Sequence, residues 1–180
     1  MSPEKSALSY FEKLRGSQVM SGIPYSKWRE PLIVGLGGAI TIGVLYALSV
    51  DFKIVTCFLA PLGASCGLVM GVPTAPVAQP RNVILGNILS ALVGLLVFRI
   101  FGQTVWWTLA LAMGMAMAAM TATKTYHPPA AVTVLLPLLT KITDFTWVLM
   151  PVGLGAVIVV VIGLLYNNIY TERRYPVFWW

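Results

Sequence analysis

The stretch 124-KTYHPPAAVT-133 holds the only histidine of the chain, followed at once by two prolines, inside a long apolar sequence. Of the 180 residues, 58% are hydrophobic and only 10% are charged, and the mean hydropathy is +0.82. About a quarter of the residues in a soluble domain are charged, so this composition predicts an integral membrane protein. A histidine beside a helix-breaking pair is costly in such a protein and calls for a structural or functional reason.

Four apolar stretches are long enough to form transmembrane helices, because about 20 residues cross a bilayer core of about 30 Å. They are residues 32–50, 83–101, 104–123 and 146–168. Two further apolar stretches, 54–72 and 128–140, contain prolines at their centre or at their start. Unpaired backbone amides are not tolerated against lipid, so these two broken segments are predicted to lie inside the helix bundle.

The two broken segments resemble each other. At an offset of 68 residues, 60-APLGAS-65 aligns with 128-PPAAVT-133, which pairs Pro61 with Pro129. At an offset of 69, the helices that follow align Gly86 with Gly155 and Gly94 with Gly163. We therefore predict an all-α integral membrane protein of about six transmembrane helical segments in two repeats of three, each with a proline-broken central helix. With three crossings in each, the repeats would be inverted.

The number of crossings stays open between six and four. Six crossings place more of the basic residues on the side of the N-terminus than four crossings with two re-entrant loops do. The positive-inside rule agrees with both arrangements, and both place the two termini on the cytoplasmic side. The predicted organisation is a cytosolic or interfacial segment over residues 1–30, a transmembrane domain over 31–170 and a short tail over 171–180.

The prolines of the broken segments predict an anion site. Pro61 and Pro129 suit the first position of a helix, where the missing N–H costs nothing. A helix start presents free amide donors and the positive end of the helix dipole, which together bind anions. Ser65 and Thr133 lie one turn further along and add hydroxyl donors, or else bond back to their own helices. Gly63 is expected to keep the approach to the backbone open.

His127 is the candidate for proton coupling. Pro128 holds it in an extended conformation outside a helix. A nearby helix start favours the neutral imidazole and an arriving anion favours the charged one, so His127 either takes up a proton with the anion or gates its path. A structural histidine that caps a turn is the alternative. Lys124 and Arg81 are expected to draw anions to the mouth of the pathway or to act as topology anchors, and Asn87 needs a partner inside the bundle.

Other functions have little support. The apolar spans hold no Asp or Glu, which argues against a cation pathway, and no nucleophile, base and acid occur together, so an enzyme is not expected. Cys57 and Cys66 lack metal-ligand or disulfide spacing, and no metal or cofactor is predicted. The net charge of +6 comes from residues that flank spans, so it sets topology and does not indicate nucleic acid. Small residues at four-residue spacing predict close packing in the lipid bilayer and a small homo-oligomer.

The combination of 60-APLGAS-65, 78-AQPRN-82 and 127-HPPAA-131 resembles the HPP family of small integral membrane proteins. The likeness covers about residues 30–170, and the motif that names the family falls on His127, Pro128 and Pro129.

Members of this family are associated with nitrite transport in cyanobacteria and chloroplasts. The resemblance therefore implies transport of a small monovalent inorganic anion across a bacterial plasma membrane or a plastid envelope, with nitrite as the leading candidate. Relatives often carry glycine where this chain has Ala131, which weakens the expectation of a very close backbone approach to the ligand. A passive anion channel and a non-transporting scaffold or accessory subunit are the alternatives.

Overall fold

The computed structural model describes residues 28–51 and 59–180, and this part of the chain is helical, without strands. The helices are α1 (Arg29–Asp51), α2 (Leu59–Gly71), α3 (Pro80–Phe101), α4 (Trp106–Ala122), α5 (Ala130–Thr140) and α6 (Leu154–Asn167). A short 3-10 turn, Pro76–Ala78, precedes α3, and an irregular helical turn, Val148–Gly153, precedes α6. Of the N-terminal segment predicted over residues 1–30, only residues 28–30 are described. Cys57 also lies outside the described residues.

Within residues 28–51 and 59–180, three helices are long and apolar enough to cross a membrane. They cover Arg29–Ser49, Pro80–Phe101 and Val148–Asn167. Three of the predicted spans are thus confirmed as long apolar helices, and the fourth, α4, is a helix of 17 residues. The two segments predicted to be broken form the shortest helices, with 13 residues in α2 and 11 in α5. At 1.5 Å per residue these helices are only about 20 and 17 Å long.

Contacts between helix ends show which ends lie together. Arg173, beyond α6, contacts Glu30 at the start of α1 and the carbonyl of Met70 at the end of α2. Arg81, at the start of α3, donates to the carbonyl of Thr123 just after α4, at 2.8 Å. The starts of α1 and α3 and the ends of α2, α4 and α6 therefore share one end of the bundle, which we call the His127 end.

The remaining helix ends meet at the opposite end. Arg99, in the last turn of α3, donates to the carbonyl of Thr143 beyond α5 at 3.2 Å. The hydroxyl of Thr104, just before α4, donates to the carbonyl of Leu138 near the end of α5. The direction of the helices therefore alternates along the chain.

Helix packing follows a three-plus-three pattern. α2 packs against α1 and α6, and α5 packs against α4 and α3. α1 also contacts α6, and in the same way α4 contacts α3. Two further pairs, α2–α5 and α3–α6, are in contact as well. One apolar cluster joins α1, α2 and α6, and another joins α3, α4 and α5. Exchanging the first three helices with the last three maps these contacts onto one another.

The aligned glycines Gly94 and Gly163 sit at equivalent contacts in this pattern. A Cβ atom on Gly94 of α3 would lie 2.0 Å from the carbonyl oxygen of Val134 in α5. A Cβ atom on Gly163 of α6 would lie 2.5 Å from Cγ1 of Val69 in α2. The missing side chains let these helix pairs approach closely, which is how membrane helices gain packing energy.

The C-terminal residues fold back onto the bundle. Arg173, one of the basic residues that flank the apolar spans, is only 8% exposed and forms an ion pair with Glu30. Tyr175 is 1% exposed, and the backbone N–H of Val177 donates to Oε1 of Gln79 at 2.8 Å. The segment predicted as a short tail over 171–180 is therefore part of the packed structure through at least Val177.

Candidate functional site

Four buried polar side chains form a chain of hydrogen bonds between α2, α3 and the start of α5. Nε2 of His127 lies 2.8 Å from Oγ of Ser65, and Nδ2 of Asn87 donates to the same oxygen at 3.3 Å. The hydroxyl of Thr133 donates to Oδ1 of Asn87 at 2.6 Å. All four side chains are 0% exposed. We call this group the polar cluster; the sequence had proposed each member separately, and the structure brings them together.

The carbonyl of Val77 selects the tautomer of His127. Its oxygen lies 2.7 Å from Nδ1, and a carbonyl only accepts, so Nδ1 carries a hydrogen. In the neutral ring Nε2 is then an acceptor, and the hydroxyl of Ser65 donates to it. His127 lies in the connection between α4 and α5, outside a helix, as its position before Pro128 predicted.

Ser65 has one hydroxyl proton and two acceptors within reach. Besides Nε2 of His127, its oxygen lies 3.0 Å from the carbonyl of Pro61, one turn earlier in α2. If His127 gains a proton, Nε2–H donates to Ser65 and the hydroxyl of Ser65 turns to the Pro61 carbonyl. The polar cluster can therefore hold either charge state of His127 without leaving this oxygen unpaired.

The free amide donors expected at the start of α5 are occupied. Pro129 precedes the first helical residue, and the amides of Ala130, Ala131 and Val132 donate to the carbonyls of residues 127–129 at 3.0, 3.0 and 3.1 Å. This tight turn pairs each amide with the carbonyl three residues earlier. These three amides are therefore used within the turn, and the binding of an anion at the start of α5 stays a prediction.

The four proline and glycine candidates contribute no side chain to the polar cluster. Pro61 is the third residue of α2 as described and takes part through its carbonyl. A Cβ atom on Gly63 would meet only Ile42 of α1, at 3.7 Å, so this glycine faces α1. Pro128 is exposed, whereas Pro129 is buried beside the start of α5. Whether any of them binds a substrate stays a prediction.

The two basic candidates, Lys124 and Arg81, meet at the C-terminal end of α4, although Arg81 itself belongs to α3. Lys124 is exposed and has a positive φ of 56°, and the amide of Thr125 donates to the carbonyl of Met120 at 2.9 Å. This is the left-handed cap that ends many helices. Arg81 donates to the carbonyl of Thr123 in the same cap, at 2.8 Å. The contacts give Arg81 a role in holding α4 against α3, and Lys124 ends the helix before the histidine.

Sequence reasoning missed three supports of the site. Gly86 allows the connection between α4 and α5 to pack closely on α3. A Cβ atom at this position would be 2.8 Å from both Cβ of His127 and the carbonyl oxygen of Thr125. Asn82 donates to the carbonyl of Tyr126 at 2.9 Å. The alignment of Gly86 and the polar side chain of Asn82 were signals that the sequence contained. The third support, the carbonyl of Val77, gives no signal in the sequence, because every residue has a carbonyl.

Metal ligands do not gather in the described ranges 28–51 and 59–180, where no group of three or more His, Cys, Asp or Glu residues could hold a metal ion. The polar cluster can therefore exchange a proton at one imidazole and form hydrogen bonds through two hydroxyls and one amide. All of these groups lie in the interior of the bundle, closed to solvent.

Comparison with known proteins gives one family and two relatives. A family model described as the HPP transmembrane region matches residues 23–176. A transmembrane protein of Dictyostelium discoideum is 32% identical over 183 aligned positions, covering 96% of this chain and 58% of the relative. A second one is 34% identical over 130 positions, covering 68% of this chain and 45% of the relative. The chain thus spans about half the length of these relatives, and no solved structure matches it.

Proposed function

Because the chain belongs to the HPP transmembrane family, we propose that it is an integral membrane transporter of a small monovalent anion, with nitrite as the substrate. The observation that carries the proposal is the polar cluster, in which an ionisable residue and three hydrogen-bonding side chains are fully buried in an apolar bundle. Such groups are costly inside membranes and are usually retained for function. The names of the relatives give only their membrane character, so nitrite is our proposal.

We propose six crossings in two inverted repeats. The alternating helix directions and the exchange of packing contacts between α1–α3 and α4–α6 support this arrangement. The His127 end faces the cytoplasm in this proposal, because basic residues are more numerous there. The described basic residues of the His127 end are Arg29, Arg81, Lys124, Arg173 and Arg174, and those of the opposite end are Arg99 and Lys141.

In the proposed mechanism the anion and a proton enter the polar cluster together. With His127 neutral, the donors of Ser65, Asn87 and Thr133 are used within the protein and the cluster is closed. A proton on Nε2 adds a donor and a positive charge, and Ser65 can then turn its hydroxyl to Pro61. The anion and proton together carry no net charge, which lowers the cost of passing through the apolar core. Rocking of one repeat against the other would open the site to alternate sides.

We further propose a small homo-oligomer. The small residues Gly35, Ala39 and Gly43 of α1 and Ala110, Gly114 and Ala118 of α4 are exposed on the described surface. A third stripe of small residues, Gly86, Ser90 and Gly94 of α3, is buried inside the bundle, where Gly94 packs against Val134. The two exposed stripes lie on helices that correspond in the repeat pattern, and each offers a surface for close helix packing with another copy.

A non-transporting scaffold is the second candidate. The observation that favours it is the complete pairing of the polar cluster, since a satisfied buried network also rigidifies and specifies a fold. A passive channel differs from both candidates, because its anion flux would not respond to a proton gradient.

The test is nitrite uptake into liposomes that hold the purified protein, with and without an inward proton gradient. The variants are His127→Ala and, as a control at the opposite end, Thr140→Ala, whose hydroxyl only bonds the carbonyl one turn back. We expect gradient-driven uptake by the wild type and the control and none by folded His127→Ala. Uptake that ignores the gradient would indicate a channel, and no uptake above empty liposomes would refute nitrite transport by this chain alone.

A further inference from the structure

The turn that orients His127 is held from two sides. On one side, the carbonyl of Val77 accepts from Nδ1 of His127 at 2.7 Å. On the other, the carbonyl of the next residue, Ala78, accepts from the hydroxyl of Tyr175 at 3.0 Å. Two consecutive carbonyls of the 3-10 turn Pro76–Ala78 thus connect the polar cluster to the C-terminal segment. The position of one carbonyl cannot change freely while its neighbour is held.

Gln79 adds a second tie between the same two segments. Its side-chain amide donates to the carbonyls of Pro73 and Ala75, both at 2.9 Å, and its Oε1 accepts from the backbone N–H of Val177 at 2.8 Å. Gln79 is 0% exposed, so these bonds form away from solvent. The connection between α2 and α3 is therefore braced internally and against the C-terminal segment.

Tyr175 is itself firmly placed. Its backbone N–H donates to Oδ1 of Asn168 at 3.2 Å, and its carbonyl accepts from the amide of the same residue. Its ring lies over Gly163, where an added Cβ atom would come within 3.1 Å of Cε1. Burial raises the pKa of the Tyr175 phenol, because the charged phenolate loses its solvation. The hydroxyl therefore stays protonated and able to donate at physiological pH.

We propose that Tyr175 is a positioning residue for His127. By holding the Ala78 carbonyl it fixes the turn so that the Val77 carbonyl selects the Nδ1–H tautomer and Nε2 faces Ser65. Without this hold, the Val77 carbonyl shifts, Nδ1–H loses its acceptor, and the ring also populates the other tautomer. The importance of this tautomer for transport rests on the proposed function, whereas the positioning itself can be measured separately.

The test uses the fact that the chain has a single histidine, which gives one set of imidazole signals. Nitrogen-15 NMR of the reconstituted protein reports the tautomer, and the rate of modification by diethyl pyrocarbonate reports how often Nε2 is accessible. The variant is Tyr175→Phe, which removes only the hydroxyl. The matched control is Tyr170→Phe, which removes a hydroxyl at the same end that donates to Tyr166 and not to the turn.

We expect the Nδ1–H tautomer in the wild type and in Tyr170→Phe. Tyr175→Phe should show a mixture of tautomers and modification about fivefold faster, the change that loss of one ordinary hydrogen bond gives. Both variants should stay folded, and Tyr175→Phe should lose more thermal stability, because its bond is shorter and buried. A single Nδ1–H tautomer and an unchanged rate in folded Tyr175→Phe would overturn the proposal.

If Tyr175→Phe does not fold, Asn168→Ala decides, because it removes both hydrogen bonds between the exposed Asn168 side chain and the backbone of Tyr175 and so releases the phenol from its place. The same mixture of tautomers is expected, and the wild-type tautomer would overturn the proposal. The two levels of the account fail in different ways. A His127 signal that responds to Tyr175→Phe in a protein without nitrite uptake refutes the proposed function alone. Nitrite uptake with an unresponsive His127 signal refutes only the positioning role.

Discussion

Replacing Gly94 by alanine tests the packing of α3 against α5, on which the position of the polar cluster depends. The added Cβ atom would lie 2.0 Å from the carbonyl oxygen of Val134, 2.9 Å from its carbonyl carbon and 3.2 Å from its Cα. These are backbone atoms, so no rotamer change relieves the clash. Ordinary contact begins near 3.4 Å, and the helices would have to separate by about 1.4 Å.

The magnitude follows from two opposing effects. Overpacking by one methyl group typically costs about 1–3 kcal/mol, and a clash against backbone lies at the upper end of that range. The higher helix propensity of alanine returns about 1 kcal/mol. We therefore expect Gly94→Ala to lower the free energy of unfolding by about 2 kcal/mol or more.

The assay is reversible unfolding in mixed detergent micelles, followed by circular dichroism. Gly67→Ala in α2 is the matched control, because this exposed glycine has no neighbouring residue within 4 Å of the added Cβ atom, and stability should be unchanged or slightly higher. Gly163→Ala, whose clash is with the side chain of Val69 at 2.5 Å, should fall between the two. Equal stability of Gly94→Ala and Gly67→Ala would refute the close α3–α5 contact.

Asn87→Ala leaves two buried hydroxyls with one partner fewer, so thermal unfolding should show a loss of about 1–3 kcal/mol; unchanged stability would contradict the polar cluster. Gly86→Ala places a Cβ atom 2.8 Å from that of His127, and we expect faster modification of His127 by diethyl pyrocarbonate. Arg173→Met leaves Glu30 without its ion pair in a mostly buried site and should cost about 3 kcal/mol in the same unfolding assay. Glu30→Gln keeps a neutral acceptor for Arg173 and should lower the free energy of unfolding by less than Arg173→Met does. No loss of stability in Arg173→Met would contradict this reasoning.

The helices were predictable from the sequence because bilayer thickness fixes the length of an apolar span. The two short central helices were predictable because prolines interrupt their segments. Asn87 and Thr133 were found for a related reason, since a polar side chain in an apolar span must find a partner inside the bundle. The alignment of Ser65 with Thr133 pointed to both hydroxyls, and both donate or accept within one cluster.

Backbone partners were not predictable. His127 is bonded to the carbonyl of Val77, which lies 50 residues earlier and has no distinguishing side chain. The start of α5 was correctly located near Pro129, but the tight turn that occupies its amides depends on the conformation of three residues. Arg173 carries a charge that fits a topology anchor, and only the fold shows that Glu30 and the Met70 carbonyl bury it.

The most direct test of the central claim is a nitrite titration of the reconstituted protein, followed by the nitrogen-15 signals of His127. The account predicts a saturable change at Nε2 with nitrite and none with gluconate, which is too large for the closed cluster. It also predicts that the change reaches half its full size near the nitrite concentration that half-saturates uptake. Uptake of nitrite that saturates while both nitrogen signals of His127 stay unchanged would contradict the account.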